Sequence, residues 1–274
     1  AKYNLSREYN NLKRQTNKES KKPGLYKDNY MSFFHAKELE EHSRKVMGVF
    51  YDVPGLRHKM ILQQLSKIYK NCKIEQTIIL GAGLDTTAVR KRKWFPEESS
   101  KVYELDMPEV MEAKQEIYNA KIGKDNIPKN IHYIACNYLK ENFIERLQMV
   151  GLDLNKPTCF IWEGNVYYLK ETQIIEVLGN IKNKFKNTYV VLDAPINPIV
   201  LTENLEAMIE NFKKMNAPWF LDNEKISEMA NKIGFDKIEQ WVINDAIKEY
   251  TNKYDIAIEP NEDLEQVAIY TLHC

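Results

Sequence analysis

Two glycines and an aspartate stand where predicted strands end, and their side-chain types suit ligand binding. Gly81 and Gly83 follow Gln76–Leu80, and Asp106 closes the next strand 25 residues after Gly81. Glycine lets a backbone turn sharply and approach a ligand with no Cβ in the way. A carboxylate at this distance from the loop can accept hydrogen bonds from both hydroxyls of a ribose. The alternative is a tight strand-to-helix turn with no ligand, and two glycines alone do not decide between them.

A ribose bound by Asp106 would belong to a nicotinamide dinucleotide or to S-adenosylmethionine. The dinucleotide fingerprint has a third glycine where this chain has Thr86. That glycine is needed because the helix must pack closely under a pyrophosphate. The threonine disfavours a NAD-dependent oxidoreductase, which the two glycines and the aspartate keep as an alternative.

The strands that position these residues alternate with amphipathic segments from residue 74 onward. Seven runs rich in β-branched and aromatic residues are predicted as strands: Gln76–Leu80, Lys101–Leu105, Ile131–Ala135, Thr158–Trp162, Thr188–Leu192, Lys237–Ile243 and Gln266–Leu272. This alternation predicts an α/β fold with a doubly wound, mostly parallel seven-stranded sheet. A long polar stretch joins the last two runs, so we expect an antiparallel edge strand there. Ligands bind such sheets at the carboxyl ends of the strands.

Helical patterns fill the N-terminal part and the segments between the strands. They lie at 5–22, 32–47, 55–70, 107–121, 141–150, 170–185, 199–216 and 224–233. We predict a single domain. It would comprise a helical cap (1–72), a cofactor-binding core (73–194), a substrate-side insertion (195–235) and the final strands (236–274).

Composition limits the classes of partner and compartment. The 274 residues include 39 basic and 39 acidic side chains, and the pI is near 7.1. Nucleic acids and anionic membranes select for a basic excess, so neither is expected as a partner. The chain has no apolar run near the ~18 residues of a membrane span and no signal-peptide core, so we expect a cytoplasmic protein. The four cysteines and five histidines show no metal-ligand spacing, and no metal is expected.

Several ordered motifs together resemble the leucine carboxyl methyltransferase family, which includes bacterial relatives labelled polyketide O-methyltransferases. The motifs are Gly81-Ala-Gly-Leu-Asp-Thr-Thr87, Val102-Tyr-Glu-Leu-Asp-Met-Pro108, Phe160-Ile-Trp-Glu-Gly-Asn-Val-Tyr-Tyr-Leu169, Ala207–Phe212 and Leu264–Leu272, with weaker similarity at Gly24–Tyr30. The resemblance covers most of the chain, and several motifs in order are far more specific than one. It implies a Rossmann-like class I methyltransferase fold with S-adenosylmethionine as the cofactor.

The resemblance implies a role for each residue that matches a family motif. Gly81, Ala82 and Gly83 would lie against the methionine part of the cofactor, and Asp106 would hold the ribose hydroxyls. Glu163, after the fourth strand, would bind the amino group of the cofactor. The alternative for Glu163 is a solvated carboxylate at a strand end.

Adenine would be recognised after the third strand, where the sequence reads Ala135-Cys-Asn-Tyr138. In the family, an acidic residue at this point and the residue directly after it recognise adenine. This chain has no acidic residue there and so departs from that pattern. Asn137, followed by Tyr138, is the substitute we assign, because the side-chain carbonyl of asparagine can accept from the adenine amino group. The register leaves Cys136 as the alternative.

The resemblance places basic residues from the N-terminal region at the carboxylate end of the cofactor. Arg57, 24 residues before Gly81, stands close to the family's cofactor-carboxylate arginine. The alternative is an ordinary exposed helix arginine. Lys18 occupies about the place of a family lysine at the same end, and Lys21 or Arg14 are the alternatives in that register.

Tyr168 matches a family tyrosine that faces the substrate, and together with Arg57 it would hold the methyl acceptor or the carboxylate of the cofactor. The alternative for Tyr168 is a core aromatic residue. An α-carboxyl with a pKa near 3.5 is ionised at pH 7, whereas a phenol near pKa 10 needs a base. No His–Asp arrangement stands beside the motifs, so the predicted acceptor is a carboxylate of a small-molecule acid or a protein C terminus. The alternative acceptor is a phenol or polyketide hydroxyl. A further alternative for the whole protein is that it binds the cofactor without catalysing a reaction. The oligomeric state is not predicted.

Overall fold

The structure is a computed structural model that describes residues 28, 30, 37–196, 199–254 and 258–274. The predicted helix at 5–22 lies outside the described residues. So do Lys18 and its two alternatives, Lys21 and Arg14.

Seven strands form one sheet whose order is β3-β2-β1-β4-β5-β7-β6. The strands are β1 (Gln76–Leu80), β2 (Lys101–Asp106), β3 (Ile131–Ala135), β4 (Thr158–Trp162), β5 (Thr188–Pro195), β6 (Lys237–Val242) and β7 (Val267–His273). Strands β1 to β5 pair in parallel. The order reverses between β1 and β4, and a ligand crevice is expected at this point in a doubly wound sheet.

The antiparallel strand is β7, and it lies one position inside the sheet edge. It pairs antiparallel with β5 on one side and with β6 on the other. The sheet therefore has an antiparallel edge, as expected, and β6 is the edge strand. Burial explains the order, because the inner residues of β7 are buried, whereas those of β6 are exposed or half-buried.

The described helices cover the two faces of the sheet. They are α1 (Lys37–Met47), α2 (Val53–Asn71), α3 (Thr87–Arg90), α4 (Pro108–Lys121), α5 (Phe143–Met149), α6 (Glu171–Lys184), α7 (Glu203–Lys214), α8 (Ile226–Ile233) and α9 (Ile243–Lys253). Helices α2, α4, α7 and α9 pack on one face, and α5, α6 and α8 pack on the other. Side chains of β1 alternate between these two cores, with Ile79 in the first and Ile78 in the second.

Helix α9 occupies the long polar stretch between the last two strands, where no helix was predicted. Its buried residues Ile243, Ile247 and Tyr250 are spaced four and three residues apart, which is the helical period. The hydroxyl of Tyr250 donates a hydrogen bond to Gln63 of α2. The apolar stripe is narrow and most of the other residues are polar or charged, so the composition of the segment did not indicate a helix.

Candidate functional site

The backbone amides of the glycine loop after β1 donate hydrogen bonds to the end of β2, one to a carbonyl and one to a side-chain carboxylate. Gly81 and Gly83 have φ angles of +61° and +45°, which favour glycine. The amide of Ala82 donates to the carbonyl of Leu105 over 2.9 Å. The amide of Gly83 donates to Asp106 Oδ2 over 2.7 Å. The two motifs predicted from the sequence therefore meet at the carboxyl ends of β1 and β2.

Gly81 also gives space to Asn165, a residue that the sequence analysis did not single out. A Cβ built on Gly81 would lie 1.9 Å from Nδ2 of Asn165. Oδ1 of Asn165 accepts a hydrogen bond of 2.6 Å from the hydroxyl of Tyr138. Asn165 thus connects the glycine loop to the segment that follows β3, and the close approach explains why residue 81 has no side chain.

Asp106 stands in the crevice with capacity to bind a ligand. Its Oδ1 accepts from the amide of Met107 and its Oδ2 from that of Gly83, each over 2.7 Å. Burial raises the pKa of Asp106, and these two hydrogen bonds oppose the rise. A carboxylate has about four acceptor positions, so room remains for two hydroxyl donors. The side chain of Met107 beside it is 36% exposed and offers an apolar surface.

The structure separates the two candidates for adenine recognition after β3. Cys136 is fully buried in the core. Asn137 is half-buried, and its Oδ1 accepts a hydrogen bond of 3.2 Å from the amide of Leu139. The neighbouring Tyr138 accepts from the indole nitrogen of Trp162 over 3.2 Å. The side chain of Asn137 is the more accessible of the two at this edge.

Arg57 lies in a buried cluster of charges and not on an exposed helix face. The residue is 7% exposed, and its Nε lies 3.2 Å from Asp193 Oδ2 and 3.6 Å from Glu163 Oε1. The Nη2 atom of Arg57 is buried and makes no hydrogen bond within the described part of the chain. These residues come from α2, β5 and the end of β4, so tertiary structure brings them together.

The charged groups of this cluster shift the pKa values of one another. Burial by itself lowers the pKa of Arg57, and the carboxylates of Asp193 and Glu163 outweigh it, so the pKa is raised. Burial raises the pKa of Asp193, while Arg57 and the amide of Gly164, which donates over 2.6 Å, lower it. The guanidinium is therefore permanently charged, and two carboxyl groups lie against it.

His58 completes the cluster, although the sequence offered no signal for it. It is 3% exposed, and its Nδ1 lies 2.9 Å from Glu163 Oε2. Its Nε2 lies 2.7 Å from Nη2 of Arg90, and Nε of Arg90 lies 3.2 Å from Asp28. The expectation that no histidine pairs with an acid beside the motifs was therefore wrong. Residues 58 and 163 are 105 positions apart, and spacing cannot reveal such a contact.

Tyr168 lies beside Arg57 in a wall of aromatic rings, which we call the aromatic wall: Tyr167, Tyr168, Phe212 and Trp219. Ring centroids are 6.2 Å apart for Tyr168 and Phe212 and 4.5 Å apart for Tyr167 and Trp219. Burial raises the pKa of Tyr168 to about 12, although Arg57 opposes the rise. The hydroxyl therefore stays protonated at neutral pH and can donate a hydrogen bond.

Two further features bear on the class of site. Within the described ranges, no group of three or more His, Cys, Asp or Glu side chains could hold a metal ion. The helices of those ranges include none that is both long and apolar enough to cross a bilayer.

The strand order and the glycine loop define a Rossmann-like methyltransferase fold, as predicted. A sequence profile of the leucine carboxyl methyltransferase family matches residues 12–182. The chain belongs to this family.

Relatives agree with this assignment. A protein of Mycobacterium ulcerans (strain Agy99) named "Putative S-adenosyl-L-methionine-dependent methyltransferase" is 28% identical over 181 residues, covering 65% of this chain and 54% of that protein. A protein of the same name from Mycobacterium marinum (strain ATCC BAA-535 / M) matches to the same extent. The chain thus spans about half the length of these relatives.

Solved structures share the fold at low sequence identity. One is described as "a putative methyltransferase" from Thermobifida fusca YX, with a TM-score of 0.62, 13% identity and coverage of 86% of this chain and 87% of that one. A DUF574 family protein from Streptomyces avermitilis also has a TM-score of 0.62, with 12% identity and coverage of 86% and 89%.

Proposed function

We propose that the protein is an S-adenosylmethionine-dependent O-methyltransferase that converts a carboxylate into a methyl ester. The observation that carries the proposal is the buried Arg57, whose Nη2 makes no hydrogen bond within the described residues, beside the protonated hydroxyl of Tyr168. Together they offer two kinds of donor to a carboxylate. The acceptor class is a small-molecule acid or a protein C terminus.

The hydrogen-bonding and apolar groups at this site fit S-adenosylmethionine. Asp106 has acceptor capacity for the ribose, and Met107 offers an exposed apolar face for adenine. Glu163 would bind the amino group of the cofactor. When bound, this cofactor supplies an electrophilic methyl group on a positively charged sulfur. The carboxyl groups of Glu163 and Asp193 would suit that charge.

The protonation states favour an acceptor that is already ionised. Both ring nitrogens of His58 are engaged, one by Glu163 and one by Arg90, so this ring is poorly placed to take a proton from an acceptor. Tyr168, with a pKa of about 12, is a donor and not a base at neutral pH. A carboxylate needs no base, whereas a phenol is about one part in a thousand ionised at pH 7.

This chain's contribution to catalysis would be positioning and exclusion of water. Arg57 and Tyr168 would orient the acceptor oxygen, and the aromatic wall would shield it from solvent. Alignment of two reactants removes much of the entropic part of the barrier, and a dry site strengthens the ionic contacts. Neither step requires proton transfer.

The residue at the third glycine position disfavours the alternative of a NAD-dependent oxidoreductase. Thr86 is buried, its Oγ1 donates to Asp28, and it accepts from Nε of Arg90 over 3.3 Å. A side chain held in this way fills the space that a glycine leaves free beneath a pyrophosphate.

The chain has 39 basic and 39 acidic residues, so we propose neither nucleic acid nor membrane as a partner. We also propose that the reaction takes place in the cytoplasm.

The test is incubation with methyl-labelled S-adenosylmethionine and a panel of carboxylic acids, followed by mild alkali. A methyl ester releases its label as methanol, whereas an ether or an N-methyl product keeps it. Release in alkali is expected, with Asp106→Ala as the inactive control. Label that resists alkali would remove the carboxylate proposal, and binding without turnover would leave a non-catalytic cofactor-binding protein.

A further inference from the structure

His58 lies between two charged groups whose chemistry fixes its protonation. Arg90 has only N–H donors and is always charged, and its Nη2 lies 2.7 Å from Nε2 of the ring. Nε2 must therefore accept, which leaves the proton of a neutral imidazole on Nδ1. This N–H points at Glu163 Oε2, 2.9 Å away. The contacts thus assign the Nδ1–H tautomer.

The second anchor of the ring is also buried. Arg90 ends α3, directly after the glycine loop, and its Nε lies 3.2 Å from Asp28 and 3.3 Å from the hydroxyl of Thr86. The ring of His58 is consequently held from one side by residues of the glycine-loop segment. From the other side it holds the acid that follows β4.

We propose that His58 is a positioning residue that fixes the carboxylate of Glu163 for the amino group of the cofactor. The inference rests on the proposed role of Glu163 in cofactor binding. Oε2 of Glu163 is held by His58, and Oε1 lies 3.6 Å from Arg57. Without the ring donor, Oε2 of Glu163 loses this contact, and the carboxylate can turn toward the guanidinium and away from the position that an ammonium group requires.

Two substitutions separate the two nitrogens of the ring. In His58→Asn, the side-chain amide stands near the position of Nδ1 and can still donate to Glu163. In His58→Gln, the amide reaches the position of Nε2, so the contact with Arg90 is retained and the donor to Glu163 is lost. A matched control is His42→Gln on α1, where the exposed ring contacts only Met215 among the described polar contacts.

The probes are S-adenosylhomocysteine, which carries the amino group, and methylthioadenosine, which lacks the whole amino-acid end. We expect His58→Gln to weaken binding of S-adenosylhomocysteine about 10-fold, the effect of one hydrogen bond to a charged group. Binding of methylthioadenosine should change less than about twofold. His58→Asn should keep both affinities within about threefold, and KM for S-adenosylmethionine should rise in His58→Gln with little change in kcat.

The outcomes distinguish the positioning role of His58 from the proposed role of Glu163 in cofactor binding. Equal weakening of both probes by His58→Gln, or equal loss in the Asn and Gln variants, would show a purely structural role and overturn the inference. Glu163→Gln provides the reference. Should it bind S-adenosylhomocysteine as tightly as the unaltered protein, the proposed role of Glu163 fails. Should it bind weakly while His58→Gln binds normally, only the positioning role of His58 fails.

Discussion

The two halves of the crevice are built from different kinds of contact. On the β1–β2 side, the amides of Ala82 and Gly83 bond to the end of the next strand over 2.9 and 2.7 Å. On the β4–β5 side, charged side chains face one another, with Arg57 3.2 Å from Asp193 and His58 2.9 Å from Glu163. The first half depends on backbone geometry and the second on charge balance inside the protein.

This difference separates the half that could be predicted from the half that could not. Backbone contacts between consecutive strand ends are encoded by short motifs, and the glycines and Asp106 were found in that way. The charged half combines α2, β4 and β5, and its members are unremarkable one by one. The comparison predicts that substitutions in the charged half change stability most, and that substitutions in the backbone half change binding most.

The largest effect on stability is expected for Arg57→Met. This change leaves Glu163 and Asp193 buried without their cation, and removal of one partner of a buried ion pair costs about 3–5 kcal/mol. Urea unfolding at pH 7 measures the difference. Lys213→Met removes an exposed partner of Glu210 and should change stability by less than about 0.5 kcal/mol. Similar results for the two variants would contradict the contrast between the halves.

Asp106→Ala should remove most cofactor binding with a smaller change in stability. Loss of a charged acceptor for ribose hydroxyls weakens binding by about 1.5–3 kcal/mol, or roughly 10- to 100-fold. S-adenosylhomocysteine at about 100 times its Kd should raise Tm of the unaltered protein by about 5–10 °C, and the same concentration should give about half of this shift or less in the variant. NAD should give no shift. A shift with NAD alone would favour the oxidoreductase.

Gly81→Ala tests the close approach of Asn165 to the backbone. The added Cβ meets Nδ2 of Asn165 at 1.9 Å and must adopt a φ of +61°, so we expect a loss of about 1–3 kcal/mol. Gly179→Ala is the matched control, because this glycine lies within helix α6 with no atom within 4 Å of the new Cβ. It should gain about 0.5–1 kcal/mol. A neutral Gly81→Ala in thermal unfolding would show that Asn165 moves freely.

The smallest expected effect is a pH dependence with opposite signs for binding and stability. The pKa of Asp106 is raised above the ordinary 3.8, so the affinity for S-adenosylhomocysteine should fall with decreasing pH through a midpoint above that value. A raised pKa contributes stability below the unfolded pKa that is lost as pH rises through the folded pKa. Relative to Asp106→Asn, the unaltered protein should therefore gain stability in acid. Equal pH profiles for the two proteins would contradict this.

The same distinction applies to the fold as a whole. The predicted bounds of Gln76–Leu80, Ile131–Ala135 and Thr158–Trp162 agree with β1, β3 and β4, because buried strands between turn residues carry a strong local signal. The place of β7 inside the edge was not predicted, although its burial on both faces is visible in the run Ala268–Leu272. Helix α9 was missed since its stripe has few apolar residues. His58 could not be found, because its partners come from distant parts of the chain.

The aromatic wall draws its rings from two sources. Tyr167 and Tyr168 lie within the region that matches the family profile, residues 12–182, whereas Phe212 and Trp219 lie beyond it. The rings nearest Arg57 thus lie within the range that the profile matches, and the outer rings lie after it. Substitutions in α7 and the loop after it would therefore alter the outer rings of the aromatic wall and leave the residues of the matched range unchanged.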